Sequence, residues 1–395
     1  MRQCQFEITD FKELINSENY YVDKTLLIGE LLDNDGNKII FTRPSGYGKT
    51  INSSMLYYFF SNREESRELF SNLEVGVALD GKYLKYLNKY PFIYMSFKDC
   101  ANFNSYEEFL ERISVKISNL FKKHCYLLKE FKLMDDELEK FNEVLNGKCN
   151  NLDNYFMFLV TLLNKYYKQN VFVVLEDYDR VIIQSLVYKC FSKVMRDINT
   201  LFNSLVKCSF LKYFIVTAVV RCGDLECINN FKKMHRFDIN KIAYSKYFGY
   251  SYAELEKLLK YYGKNSSIIS VNKWCGNYLI GELLTCNPRY FLHHIYKKDE
   301  ITKDDDSFFK KIIYLFQTSG VDTSISLKDE IIIKNDFYGD FVLPDVFSNS
   351  DYFMYFLLTL GVLTKKDYTP LKKSVRVTLS NSSLRVYLSL NHIFL

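Results

Sequence analysis

Between about residues 30 and 222, short apolar runs alternate with longer stretches of helical spacing. "NKIIFT" (37–42) is a β-branched run that stops at a Pro/Gly-containing turn, and "KTINSSMLYYFF" after it has helical spacing. "PFIYMSF" (91–97) and "LKYFIVTAVV" (211–220) read as further strands. "VFVVLEDYDR" (171–180) is a nearly continuous apolar run closed by acids, which suits a central parallel strand buried on both faces. "SYEEFLERISVKISNLFKK" (105–123), "LDNYFMFLVTLLNKYYKQ" (152–169) and "SLVYKCFSKVMRDINTLFNSLVK" (185–207) are helical stretches between the strands. This alternation predicts an α/β fold, a doubly wound parallel sheet.

The alternation stops at "INNFKKMHRFDINK" (228–241), which reads as an irregular loop. "SYAELEKLLKYYG" (251–263) carries a capping-box signal, Ser251 with Glu254, and ends on Gly263. "NPRYFLHHIYKK" (287–298) starts a helix with Asn287 as cap and Pro288 in the first turn, and "DDDSFFKKIIYLFQTSG" (304–320) is another. The end of the chain reads as a helix (351–360) followed by strands "GVLTKK", "SVRVTLS" and "LRVYLSL". A mostly helical lid and a small winged-helix-like unit are therefore expected after the sheet.

Hydrophobic residues make up 48% of the 395, enough for a large core. A net charge of +5, spread along the chain, is too mild to demand nucleic acid as a partner, though it leaves one open. None of the ten cysteines forms a Cys-x-x-Cys pair or recurs with histidine at zinc spacing. Reduced thiols in a soluble intracellular protein, cytoplasmic or nuclear, are the expectation. The N-terminus is amphipathic and carries acids, unlike a secretory signal. The most apolar stretch, "YFMYFLLTLGVL" (352–363), falls short of the roughly 20 helical residues that cross a bilayer, so no membrane partner is expected.

"FTRPSGYGKTINSSML" (41–56) ends like a phosphate-binding loop but holds Arg43 where the first glycine belongs. Such a loop needs backbone N–H groups turned toward phosphate, a lysine for the β/γ-phosphates and a hydroxyl for Mg²⁺. Gly46, Gly48, Lys49 and Thr50 supply these. The nucleotide-contacting stretch is then Arg43, Pro44, Ser45, Gly46, Tyr47, Gly48, Lys49, Thr50 and Ile51. A hydrolysing site also needs acids at the end of another buried strand. By position Glu176 would join Thr50 on Mg²⁺, and Asp177 would orient the attacking water; the alternative is that Glu176, Asp177 and Asp179 merely cap the next helix. Thr217 ends a neighbouring strand where a γ-phosphate sensor would sit, or is an ordinary strand-end threonine. Arg221 reads as a surface arginine or, less favoured, as a charge-stabilising one.

These blocks resemble the AAA-ATPase-like proteins often fused to a PD-(D/E)XK nuclease module. The family opening "Y-V-D-K-T" with "I-x-x-L" matches "YYVDKTLLIGELL" (20–32), and its loop "T-R-P-R-R-F-G-K-S-x-N-x-S-M-L" matches "TRPSGYGKTINSSML". "EDYD" (176–179) stands for its "D-E-Y-D" with the acids exchanged. "YFGYSYAEL" (247–255), "CGNYLIGELLTCNPRYFL" (275–292) and "FLLTLGVLT" (356–364) follow its later blocks in order. In that family Arg also occupies the first-glycine position, so Arg43 is the family's own loop entrance. Ser45-Gly46-Tyr47 in place of Arg-Arg-Phe removes two cations, and the exchanged acids put turnover in question. Asp23 and Lys24 in "YVDKT" read equally as a fold-stabilising pair or a nucleotide contact. "KDEIIIK" (328–334) has the wrong spacing for Glu-x-Lys, so no nuclease module is expected.

The resemblance implies a P-loop domain over 1–244, a lid over 245–300 and a helical and winged-helix-like region over 301–395. It implies ATP and Mg²⁺ as cofactors, slow hydrolysis coupled to a conformational change, and a protein partner. Two alternatives stay open: a nucleotide-gated interaction protein without turnover, and a nucleic-acid-associated factor for which "TPLKKSVRV" (369–377) is the one basic cluster near the end.

Overall fold

The computed structural model describes residues 8–147, 151–264, 271, 275–296, 303–319, 331–334, 340–343, 345–348, 350–366 and 374–380. Six strands run through the first part of the chain: β1 (Lys38–Thr42), β2 (Phe92–Ser96), β3 (Val171–Glu176), β4 (Leu211–Ala218), β5 (Arg221–Gly223) and β6 (His235–Phe237). Five make one parallel sheet in the order β2-β3-β4-β1-β6. All six residues of β3 are buried, which is what its unbroken apolar run requires. Helices Lys49–Phe60, Leu152–Tyr167 and Phe191–Lys207 pack against the sheet. Phe60 of the first stacks on Phe172 of β3 with ring centroids 4.6 Å apart. Burying such a ring stabilises by about 2–3 kcal/mol and fixes the helix over the strands.

The register places the strand ends in one row. Ser96 pairs with Glu176, Glu176 with Thr217, and Thr217 with Phe41. With β4 between the loop strand and the acid strand, Thr217 stands between the two candidate halves of the site.

Two expectations are corrected. The stretch 185–207 is not one helix: Tyr178–Val187 ends at Tyr188, Lys189 turns left-handed at φ 56°, and Phe191–Lys207 begins anew. The stretch 228–241 is not an irregular loop, since it contains the end of helix Leu225–Phe231 and the edge strand β6. Three residues are too few to register as a periodic pattern.

Farther on come helix Tyr252–Tyr261, the hairpin β7 (Tyr278–Ile280) and β8 (Leu283–Thr285), and helices Pro288–Tyr296 and Lys303–Ser319. The capping box of Ser251 and Glu254 is formed. Strands β9 (Ile331–Lys334), β10 (Asp340–Val342), β11 (Leu363–Lys365) and β12 (Ser374–Leu379), with helix Ser350–Leu360, complete the described chain. Strands β11, β12 and β9 form an antiparallel sheet, while β10 leaves it to pair in parallel with β5. The expected strand "LRVYLSL", and Asp329 and Glu330, lie outside the described residues. Leu255, Leu258, Phe291 and Ile295 form a small core with Val22, whereas Phe308, Ile312, Phe316 and Phe356 join the core of the main sheet.

Candidate functional site

The loop between β1 and helix Lys49–Phe60 is shaped by two left-handed glycines. Gly48 caps the helix at φ 83°, and Gly46 sits at φ 80°. A Cβ on Gly46 would stand 2.6 Å from the Asn287 side chain, so glycine is required there for space as well as conformation. The helix N-terminus, with its unpaired N–H groups and positive dipole end, opens onto a cavity of about 230 Å³ bordered by Ser45 to Asn52. Tyr20, Val22, Tyr250, Tyr262 and Leu292 line it too, giving an apolar and aromatic wall. The charged lining is Lys24, Lys49, Lys98, Arg180 and Arg289 against the single carboxylate Asp177, an excess that suits a polyanion.

Lys49 is buried, and its Nζ donates to the carbonyls of Arg43 (2.9 Å) and Pro44 (3.0 Å). Burial lowers its pKa to about 8, with Asp177, Asp179 and Glu176 acting in opposition, so it is still charged at neutral pH. Arg43 does not border the cavity. Its guanidinium is fully buried, donates to the carbonyls of Thr42 and Phe237, and lies 4.8 Å over the Phe248 ring. Desolvation lowers its pKa to about 10, and Asp238 works the other way. Pro44 is likewise absent from the lining, while Tyr47 borders the cavity with its ring packed against Tyr278. Thr50 and Ile51 lie on the lining at the helix start.

The acids at the end of β3 separate. Glu176 is buried away from the cavity, accepting hydrogen bonds from Tyr94 and, at 3.2 Å, from Thr217. Desolvation, followed by the charge of Asp177, pushes its pKa up to about 7. Thr217 thus already spends its hydroxyl on Glu176. Asp177 borders the cavity at a left-handed φ of 57°, strain of a kind that collects at functional sites. It stands at the N-cap of helix Tyr178–Val187 without making a side-chain cap bond, and its Oδ1 lies 3.6 Å from Arg180 Nε. Asp179 is buried and accepts from the N–H groups of Val219 (2.9 Å) and Val220 (3.1 Å), holding the end of β4. Burial raises its pKa to about 6.

Arg221 is neither a surface arginine nor directed at the cavity. It is buried in ion pairs with Asp238 (3.1 Å) and Asp340 (2.6 Å). Asp23 and Lys24 do not pair with each other. Asp23 accepts from the N–H and hydroxyl of Thr25 and from the N–H of Glu74, whereas Lys24 reaches Glu254 at 2.6 Å. Lys24 therefore joins the start of the chain to helix Tyr252–Tyr261 on the cavity rim.

Sequence reading did not single out Arg180, Arg289, Lys98 or the aromatic wall. Arg180 carried the one usable signal, a cation three residues after Asp177 and so on the same helix face. Among the described residues no cluster of three or more His, Cys, Asp or Glu is arranged to hold a metal. Thr50, whose residue borders the cavity, carries a hydroxyl oxygen of the type that Mg²⁺ takes alongside phosphates.

No curated protein sequence matches the chain. Among solved structures, the Aeropyrum pernix ORC2 protein (in ADPNP-ADP complexes) is 10% identical over 96% of both chains, with a TM-score of 0.31. Drosophila ORC bound to AT-rich DNA and Cdc6 is 9% identical over 93% of this chain and 88% of that one, with a TM-score of 0.19. Scores this low carry no inference about this chain. Residues 5–226 match the family described as Predicted AAA-ATPase. That span contains the phosphate loop, the acid strand and four of the five strands of the parallel sheet, and the chain belongs to this AAA-ATPase-like family.

Proposed function

We propose that the protein binds ATP with Mg²⁺ at the mouth of the 43–51 loop and couples the state of the nucleotide to a conformational change. The observation that carries this reading is the cation-rich cavity at the N-terminus of helix Lys49–Phe60, with Lys49 and Asp177 both on its lining. Lys49 exchanges its two carbonyl partners for the β/γ-phosphates, and the loop N–H groups take the remaining oxygens. Thr50 would hold Mg²⁺ together with a Glu176 turned out of its bonds to Tyr94 and Thr217, and the ion would offset charge on the phosphates. Asp177 orients the attacking water. Calorimetry with Mg·ATP tests the reading: micromolar binding by wild type and at least a tenfold loss in Lys49→Ala are expected. Equal affinities for the two proteins would reject it.

A second reading, a nucleotide-gated interaction protein without turnover, is favoured by the resting state of the acids. Glu176 is held by Tyr94 and Thr217, and Asp177 is tied to Arg180. Asp177 is also one methylene shorter than the glutamate of the family pattern. Binding without phosphate release, with activity gained in Asp177→Glu, would establish this reading over the first.

A further inference from the structure

Arg180 has no part in the roles assigned so far, and its surroundings are unusual. It lies in the first turn of helix Tyr178–Val187 and borders the cavity together with Lys49 and Asp177. Its side chain is only 12% exposed. The buried Nε has no hydrogen-bond partner, and at 3.6 Å from Asp177 Oδ1 it makes an ion pair too long to be a hydrogen bond. Its guanidinium carbon lies 5.0 Å from the centre of the Phe308 ring, on helix Lys303–Ser319. Lys49, which is buried, and Arg180, which is mostly so, thus share one nearby cavity-lining carboxylate, and each lowers the cost of bringing an anion between them.

Resting on the ATP-binding reading, we propose that Arg180 is the residue that distinguishes ATP from ADP, contacting the γ-phosphate with the guanidinium that now rests between Asp177 and Phe308. The position follows from the order of groups around the cavity. Lys49 and the loop lie at the end of β1, where the β-phosphate is gripped. Asp177 lies at the end of β3, two strands away, where the water must be aimed at the terminal phosphorus. A cation paired with that carboxylate stands beside the γ-phosphate and not the α or β. A guanidinium also offers a planar fork to phosphate oxygens, and its unmet Nε–H is one of the donors it would use. The same group packs on Phe308, so a γ-phosphate that draws it away loosens one contact to helix Lys303–Ser319. Loss of the phosphate restores that contact. Arg180 would in this way give helix Lys303–Ser319 direct information about the nucleotide.

Calorimetry on the full chain, using Mg with a non-hydrolysable ATP analogue and separately Mg·ADP, tests this in wild type, Arg180→Ala and Arg180→Lys. Wild type is expected to prefer the triphosphate. Arg180→Ala should lose about tenfold to a hundredfold in triphosphate affinity while ADP affinity stays within about twofold. Arg180→Lys, which keeps the charge but not the fork, should fall between them. If the alanine protein does not fold, as judged by its circular dichroism and melting, the lysine variant alone still decides. Unchanged selectivity in the variants overturns the proposal, as does an equal loss for both nucleotides or a wild type indifferent to the γ-phosphate. A wild type that binds neither nucleotide removes the ATP reading itself, and this proposal with it.

Discussion

Glu176 is a carboxylate held where water does not reach, and that fixes how it responds to pH. Desolvation and the neighbouring Asp177 raise its pKa from 4.5 to about 7, against the opposing effect of hydrogen bonds that include those from Tyr94 and Thr217. The folded protein therefore keeps a proton that the unfolded chain has already released. The resulting stabilisation is complete below about pH 4.5 and is lost as the pH rises through about 7. Asp179, raised to about 6 by burial, adds a slope of the same sign at somewhat lower pH. Urea unfolding between pH 5 and 8 should show wild type losing stability with rising pH, and Glu176→Gln, which cannot ionise, losing less. Identical slopes would show that Glu176 is not the group responsible. Residue letters alone could not reveal this. The turn before helix Lys49–Phe60 was legible because its left-handed backbone admits few residue types, so Gly46 and Gly48 announce themselves. Side-chain direction has no such signature. Nothing in "TRPSG" says that Arg43 turns inward to Phe237, and nothing in "LEDYD" says that Glu176 turns from the cavity while Asp177 faces it. Lys24 has its partner, Glu254, 230 positions away, beyond any local pattern.

At the level of elements, patterns long enough to repeat were read well, and junctions were not. Helix 49–60 and the apolar run of β3 each express a full period of burial, whereas β5 and β6 are three residues each. The break inside 185–207 has a specific cause. Cys190 N–H returns to the Ser185 carbonyl (2.9 Å) and Lys189 N–H to that of Leu186 (3.2 Å), the two bonds of a Schellman cap. Such a cap needs a left-handed residue, normally glycine, and here Lys189 takes it at φ 56° while exposed to solvent. A lysine at that position hides the stop signal from the sequence and strains the backbone. Lys189→Gly relieves the strain without losing packing and should stabilise by about 0.5–1 kcal/mol, partly offset by the freer unfolded chain. Thermal unfolding measures it, and a lowered melting temperature would mean the left-handed turn carries no strain.

At the scale of the molecule, the loop is held by segments far from it in sequence. Gly249 N–H donates to the Tyr47 carbonyl (3.3 Å), Asn287 Nδ2 donates to that of Ser45 (2.9 Å), and the backbone of Gly361 runs against Pro44. The later blocks of the family pattern therefore converge on the phosphate loop, which their wide spacing did not disclose. Another joint between early and late parts of the chain lies at Arg221. β10 pairs in parallel with β5, and Asp340 at its start receives Arg221 Nε at 2.6 Å and Arg236 Nη1 at 2.7 Å. Arg221 is 1% exposed and Arg236 33%, so the two bonds differ in worth. Removing Asp340 takes an ion-pair partner from the buried guanidinium of Arg221 while Asp238 stays in place, a loss toward the lower end of the roughly 3–5 kcal/mol for breaking a buried pair. Removing Arg236 breaks a bond nearer the surface and should cost about 1 kcal/mol or less. In urea unfolding, Asp340→Ala should thus fall well below Arg236→Ala, and it should also raise protease susceptibility in residues 303–366 before the parallel sheet is cut. Equal costs for the two variants would mean that β10 is attached by packing of Phe341 and its neighbours, and that the charge network only decorates the joint.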